Sequence, residues 1–228
     1  MNITQFKNAA AMTSFLAGDI VNNLKRAISD KGQAVLLVSG GRSPIALFET
    51  LSQVDLAWDK VIISLVDDRW VDAQHNDSNA NLVRQHLTVN NAAKARFIPL
   101  VGTNPDAFAG IDESIAAIGD IKDIDVMILG MGEDGHTASI FPCCEQLDDA
   151  MSSDNTQRLI ATQPTTAPHQ RVSFTLNEIL AAKQVYLPLS GNNKIRVFEQ
   201  AQQLNDLAKM PISAVIKHHA ALDVLISE

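Results

Sequence analysis

Six short runs of branched apolar residues, separated by stretches of helical periodicity, constrain the fold of this chain more than any other feature. They are Ala34–Val38, Val61–Val66, Phe97–Val101, Asp125–Leu129, Val185–Leu189 and Leu222–Ile226. Polar residues alternate only weakly within them, so both faces of each strand need cover, as in a parallel sheet between helices. Arg171–Leu176 does alternate and reads as a more exposed or antiparallel strand. Helices are expected at 4–30, 44–54, 78–88, 105–119, 176–183, 192–204 and 211–219. The first carries Phe15, Leu16, Ile20, Leu24 and Ile28 near helical spacing, a face that packs on the sheet. This rhythm predicts an α/β fold: an open, mostly parallel Rossmann-like sheet with helices on both faces. Residues 1–228 are read as a single domain, with Ser152–Gln170, rich in Ser, Thr, Gln and Pro, as a long surface connection.

Apolar residues make up 46% and charged residues 19%, without long charge runs, which excludes a disordered chain. The net charge of −8 argues against nucleic acid and anionic membranes, since both require clustered Lys and Arg. An anionic small molecule stays compatible if a few cations converge locally. The N-terminal stretch lacks a basic segment followed by an unbroken apolar core, and no run reaches about 18 apolar residues, so a cytoplasmic protein is expected. Cys143 and Cys144 are adjacent and ill placed for a disulfide, and read as two packed thiols. His218 and His219 point to different sides of a helix, and no His-x-x-x-His or clustered Cys/His spacing occurs. No metal site is expected.

In open α/β sheets ligands bind at the carboxyl ends of strands. Three loops carry polar chemistry there. Ser39-Gly40-Gly41-Arg42-Ser43-Pro44 follows a buried strand, with Ser43 expected as helix N-cap and Pro44 as first helical residue. Its glycines admit an oxyanion to backbone N–H groups, and the helix start adds positive potential. A ligand-free strand-to-helix turn would use the same residues. Asp67-Asp68-Arg69 ends the next run; an Arg beside two acids suits an anion clamp and a structural ion pair equally.

The third loop, Gly130-Met-Gly-Glu-Asp-Gly-His136, is a literal G-x-G-x-x-G. A dinucleotide reading fails on charge, because Glu133 and Asp134 stand where a pyrophosphate would lie. No acid ends a following strand about 20 residues on, as ribose binding requires. The loop instead holds His136 at the sheet edge, with Asp134 near enough to set its tautomer. Thr137–Phe141 is expected to form a short helical turn closed by Pro142. Lys194, one turn into a helix after Ser190-Gly191-Asn192-Asn193, and Arg171 are cations that could reach an anion at the same edge, although such residues also serve as ordinary solvated surface.

The motifs VSGGRSP (38–44), DDRWVDAQHNDSNANLVR (67–84), LGMGEDGHTASIFP (129–142), RVSFTLNEI (171–179) and GNNK (191–194) resemble, in order, those of the 6-phosphogluconolactonase family, which shares its fold with glucosamine-6-phosphate deaminases. The Thr-Ala-Ser-Ile-Phe-Pro after His136 resembles the lactonase version; the Phe-Asn-Glu-Pro of the deaminases is absent. Ser43 stands where relatives usually carry Thr, and Asp68 where they carry Glu, changes of one methyl or methylene. The stretch from Met210 to Glu228 matches more loosely.

The resemblance implies a sugar-phosphate isomerase-like fold and hydrolysis of 6-phospho-D-glucono-1,5-lactone, the second step of the oxidative pentose phosphate pathway. Its implied catalytic residues are His136 as base, Asp134 as its orienter and Arg69 as oxyanion partner. Substrate and phosphate contacts would come from Ser39, Gly40, Gly41, Arg42, Ser43, Asp68, Gly132, Arg171 and Lys194. No cofactor or metal is needed, and the partner is a phosphorylated sugar lactone, bound by a monomer or weak homodimer. The alternatives are an amino-sugar-phosphate isomerase or deaminase with Asp67 as base, and a sugar-phosphate sensor without turnover.

Overall fold

The computed structural model describes residues 1–227. The chain begins β1 (Asn2–Phe6), α1 (Ala9–Lys31), β2 (Ala34–Val38), α2 (Ile45–Ser52), β3 (Val61–Leu65), β4 (Asp67–Arg69), α3 (Asn79–His86), β5 (Arg96–Ile98), α4 (Ala107–Ala117) and β6 (Val126–Ile128). It continues α5 (Leu147–Met151), β7 (Leu159–Thr162), β8 (Arg171–Phe174), α6 (Leu176–Ala181), β9 (Val185–Ser190), α7 (Asn192–Gln203), α8 (Ile212–His218) and β10 (Leu222–Ser227).

Seven strands form a parallel sheet in the order β1-β10-β9-β6-β2-β3-β5. Every residue of β2, β3 and β6 is buried, as expected for strands covered by helices on both faces. From β2 the chain winds through β3 to β5, returns to β6 on the other side of β2, and winds the opposite way through β9 and β10. The order therefore reverses between β2 and β6. Loops leaving these two strands diverge and open a crevice at their carboxyl ends.

At that edge the chain passes from β3 through Val66 into a second, three-stranded antiparallel sheet, β4-β8-β7. Val66 accepts a hydrogen bond from the Phe174 N–H at 3.0 Å and donates to Val38 O at 2.9 Å, so one residue stitches the two sheets together. The opposite, amino-terminal edge is tied by Asp125. Its carboxylate accepts from the Val35 N–H (2.8 Å) and pairs with Lys31 (2.9 Å) and Lys183 (3.1 Å).

Six local expectations change. Residues 4–6 extend as the edge strand β1 beside β10, and α1 begins only after Asn8, whose side chain accepts from the Ala11 N–H at 2.9 Å. Arg171–Phe174 is antiparallel but wholly buried, because β4 and β7 flank it within the small sheet. The polar Ser152–Gln170 connection contains β7, paired along its length with β8. Thr137–Ile140 closes as a bridged β-turn with Ala138 at φ 50, in place of a helical turn. Helix α2 starts at Ile45 behind Pro44, and Ser43 makes no capping bond. Of the two adjacent thiols only Cys144 is buried; Cys143 is half-buried beside Thr166, 3.2 Å away.

Candidate active site

The crevice between β2 and β6 holds a cavity of about 280 Å³, near the lower end for small-molecule sites. Its walls come from the loop after β2, from β4 and β8, from the loop after β6, and from the start of α7. Ser39 joins the two loops at the switch point: its Oγ donates to Ile128 O at 2.9 Å and accepts from the Gly130 N–H at 3.1 Å. That hydroxyl is occupied by structure, although the residue lines the cavity. The N–H groups of Gly40, Gly41, Arg42 and Ser43 make no hydrogen bond among the described residues, which leaves a row of donors before α2. Gly41 adopts φ 89, and a Cβ at Gly40 would overlap the Asn79 carboxamide, so these positions require glycine for two different reasons.

His136 stands on the tightly turned loop after β6. The Gly132 N–H donates to His136 O at 2.8 Å and the Gly135 N–H to Gly132 O at 3.2 Å, with Gly135 at φ 78. The imidazole Nδ1 lies 2.5 Å from Asp134 Oδ1, which also accepts the His136 N–H at 3.1 Å. Burial pushes the Asp134 carboxyl upward, but the hydrogen bonds and charge of His136 outweigh it and hold the group below its ordinary range. An ionised Asp134 keeps the proton on Nδ1 and leaves Nε2 as the basic nitrogen. The ring stacks on Phe141, centroids 3.9 Å apart at 22°. A Cβ at Gly132 would collide with both the ring and Asp134.

The small sheet supplies the opposite wall. Arg69 and Arg171 are directly opposed across β4 and β8, and both line the cavity. Like charges so placed repel, which an anion between them relieves. Arg69 donates to Asp77 O at 2.6 Å. Arg171 is only 6% exposed; it reaches Ser139 Oγ and Pro168 O at 3.5 and 3.4 Å, lies over Phe141, and leaves its buried Nε without a partner. Burial pulls its guanidinium below the usual value, with nearby Asp67 opposing the fall. Lys194 donates to Met131 O and lines the same cavity. None of these three cations has a carboxylate partner among the described residues. In a chain of net charge −8, this is a local cationic pocket.

Two residues from the sequence stand elsewhere. Asp68 is fully buried and does not line the cavity; its oxygens accept from the N–H groups of Arg69 (2.8 Å), Asn79 (2.6 Å) and Ala80 (3.1 Å), so it anchors the start of α3. Burial pushes its carboxyl up to about 6. The Arg42 side chain is exposed and lies outside the cavity lining. Gly132 and Asp134 act one step behind the wall, through His136.

Other contacts were hidden in the sequence. Ser139 donates to Asp67 Oδ2 at 2.5 Å and accepts from Arg171, and Asn79 donates to Asp67 O at 2.9 Å. Together they fix Asp67 in the cavity. Phe141 serves as a platform for both His136 and Arg171. Their positions inside the strongest motifs were the available signal, but the partners of Ser139 lie 32 and 72 residues away.

Residues 7–224 match the family described as glucosamine-6-phosphate isomerases/6-phosphogluconolactonase. A protein named 6-phosphogluconolactonase from Neisseria meningitidis serogroup A is 43% identical over 221 residues, covering 94% of this chain and 93% of its own. One of the same name from Pseudomonas putida is 38% identical over 224 residues, 98% and 92% of the two chains. The crystal structure of a 6-phosphogluconolactonase from Shewanella baltica OS155 superposes with a TM-score of 0.97 at 39% identity, covering 100% of this chain and 98% of that one. No helix among the described residues is long and apolar enough to cross a membrane.

Proposed function

This chain belongs to the glucosamine-6-phosphate isomerase/6-phosphogluconolactonase family, and we propose that it hydrolyses 6-phospho-D-glucono-1,5-lactone to 6-phosphogluconate, the second step of the oxidative pentose phosphate pathway. The observation that carries this reading is the His136–Asp134 pair at 2.5 Å, set at a cavity where Arg69, Arg171 and Lys194 converge without carboxylate partners. An oriented base and an anion-binding wall are what the hydrolysis of a phosphorylated ester needs.

In this mechanism His136 Nε2 takes a proton from water as the oxygen attacks the lactone carbonyl. Arg69 stabilises the oxyanion. As the bond from the carbonyl carbon to the ring oxygen breaks, the imidazolium returns the proton to that oxygen, leaving a free hydroxyl and a carboxylic acid that ionises. Arg171, Lys194 and the N–H groups of residues 40–43 hold the phosphate, the buried and incompletely bonded Arg171 most firmly. In this reading Arg42 contributes its backbone N–H and not its solvent-facing side chain, and Asp68 serves the α3 backbone and not the substrate.

The test is proton release from lactone made in situ, above the uncatalysed background. His136→Ala should lower kcat by about 10²- to 10⁴-fold with KM little changed; near-normal turnover would remove His136 from the chemistry. Asp67, a carboxylate fixed inside the cavity, keeps one other reading open to the same assay. Ammonia release from glucosamine 6-phosphate, with no lactone hydrolysis, would transfer the base role to Asp67.

A further inference from the structure

A cluster of titratable groups sits just outside the cavity and takes no part in the mechanism above. His169 Nε2 lies 3.1 Å from Asp77 Oδ2; His75 Nδ1 accepts the Asp77 N–H at 3.0 Å, and the two imidazole rings meet edge to face at 5.6 Å. None of the three lines the cavity. They join two segments that each hold one arginine. The Asp77 carbonyl accepts from Arg69, and the carbonyl of Pro168, next to His169, accepts from Arg171.

We propose that the Asp77–His169 pair is a latch that positions Arg171 for the phosphate, making both positioning residues that set substrate affinity. The inference rests on the lactonase reading given above.

The two sides of the latch are unequally anchored. Asp77 immediately precedes Ser78, the N-cap of α3, and the first N–H groups of that helix are held by buried Asp68 and by Ser78, so its position is fixed by the fold. On the other side Gln170 is tied to the start of α4 through the Ala107 N–H (2.8 Å) and Asp106 (2.9 Å). His169 precedes that anchor at φ 71, a left-handed conformation that a non-glycine residue keeps only where its surroundings enforce it. Its contact to Asp77 is the hydrogen bond its side chain makes among the described residues. The hydrogen bond from His169, working against a small burial penalty, draws the Asp77 carboxyl below its ordinary range, so the acceptor is ionised at neutral pH. Opening the latch frees the segment through Pro168 and with it one of the two long contacts that orient Arg171, while Asp77 O stays on Arg69. Phosphate binding should therefore suffer and the chemical step should not.

Asp77→Ala, His169→Ala, the double variant and Asp77→Asn would be compared with wild type. The readouts are calorimetric binding of 6-phosphogluconate and steady-state hydrolysis of the phosphorylated and the unphosphorylated lactone. Both alanine variants should weaken binding and raise KM about three- to tenfold, the scale of one exposed charge-assisted contact. Turnover should stay within about twofold, and hydrolysis of unphosphorylated lactone should not change. The double variant should match either single one, and Asp77→Asn, which still accepts from Nε2, should recover most of the affinity. Unchanged affinity, additive losses or equal loss for both lactones would overturn the latch while wild-type binding leaves the site reading standing. Failure of wild type to bind 6-phosphogluconate would overturn both. Should Asp77→Ala not fold, His169→Ala carries the same comparison.

Discussion

The contact between His136 and Asp134 depends on what is missing from Gly132. The imidazole and the Asp134 carboxylate occupy the space a Cβ would take there, so the glycine permits the close approach that fixes the tautomer. Gly132→Ala must push the ring or the carboxylate aside. We expect kcat to fall about 10²-fold, the scale of an ångström-sized misplacement, with KM and thermal stability changed much less. Turnover near wild type in steady-state assays would mean that the 2.5 Å contact is dispensable. The motif made Gly132 conspicuous in the sequence, but as a substrate contact; the ring that needs the space lies four residues on and folds back over it.

Helix α3 and strand β4 meet through Asp68, whose carboxyl burial pushes up to about 6. A carboxyl whose folded value lies above its ordinary 3.8 binds its proton more tightly when folded, so its contribution to stability is greatest below about pH 4 and is lost as pH rises to about 6. Asp68→Asn removes that titration. Thermal unfolding of both proteins from pH 4 to 7 should show the wild-type advantage shrinking as pH rises. An advantage that grows instead would mean that the three backbone N–H donors overcome burial and favour the carboxylate. The helix itself was expected at 78–88 and runs from Asn79 to His86 behind Ser78, whose capping role the structure supplies. That Asp68 is spent on this helix start was not expected, since an acid beside Arg69 in a motif suits a ligand contact equally well.

Across the whole molecule, the parallel sheet separates chemistry from stability. Carboxyl ends of β2 and β6 open the cavity, while their amino ends are bound through Asp125, buried beneath Lys31 and Lys183. Asp125→Ala leaves the Val35 N–H without its acceptor and the two ammonium groups with only their longer contacts to Asp123, at 3.7 and 3.8 Å. Discounting the partly exposed lysines, it should cost about 2–4 kcal/mol in chemical denaturation, with kcat/KM of the folded protein unchanged. A matching loss of activity would show that the two edges are coupled. The parallel α/β architecture was written in the chain because buried strands and amphipathic helices bear local, periodic signatures, and the loop residues at strand ends follow from it. The exposed β1 lacks an apolar run, and β7 lies in a polar stretch, so pairing with β10 and β8 alone makes them strands. The same holds at the site. His136 and Asp134 are two residues apart and were legible as a pair, whereas Arg69 and Arg171, or Ser139 and Asp67, become neighbours only when β4 pairs with β8 and the turn at Thr137–Ile140 docks against them. Local sequence records propensity and short-range hydrogen bonds, but contacts across such separations are chosen by which surfaces the folded core brings within a few ångströms, and no stretch of chain carries that choice alone.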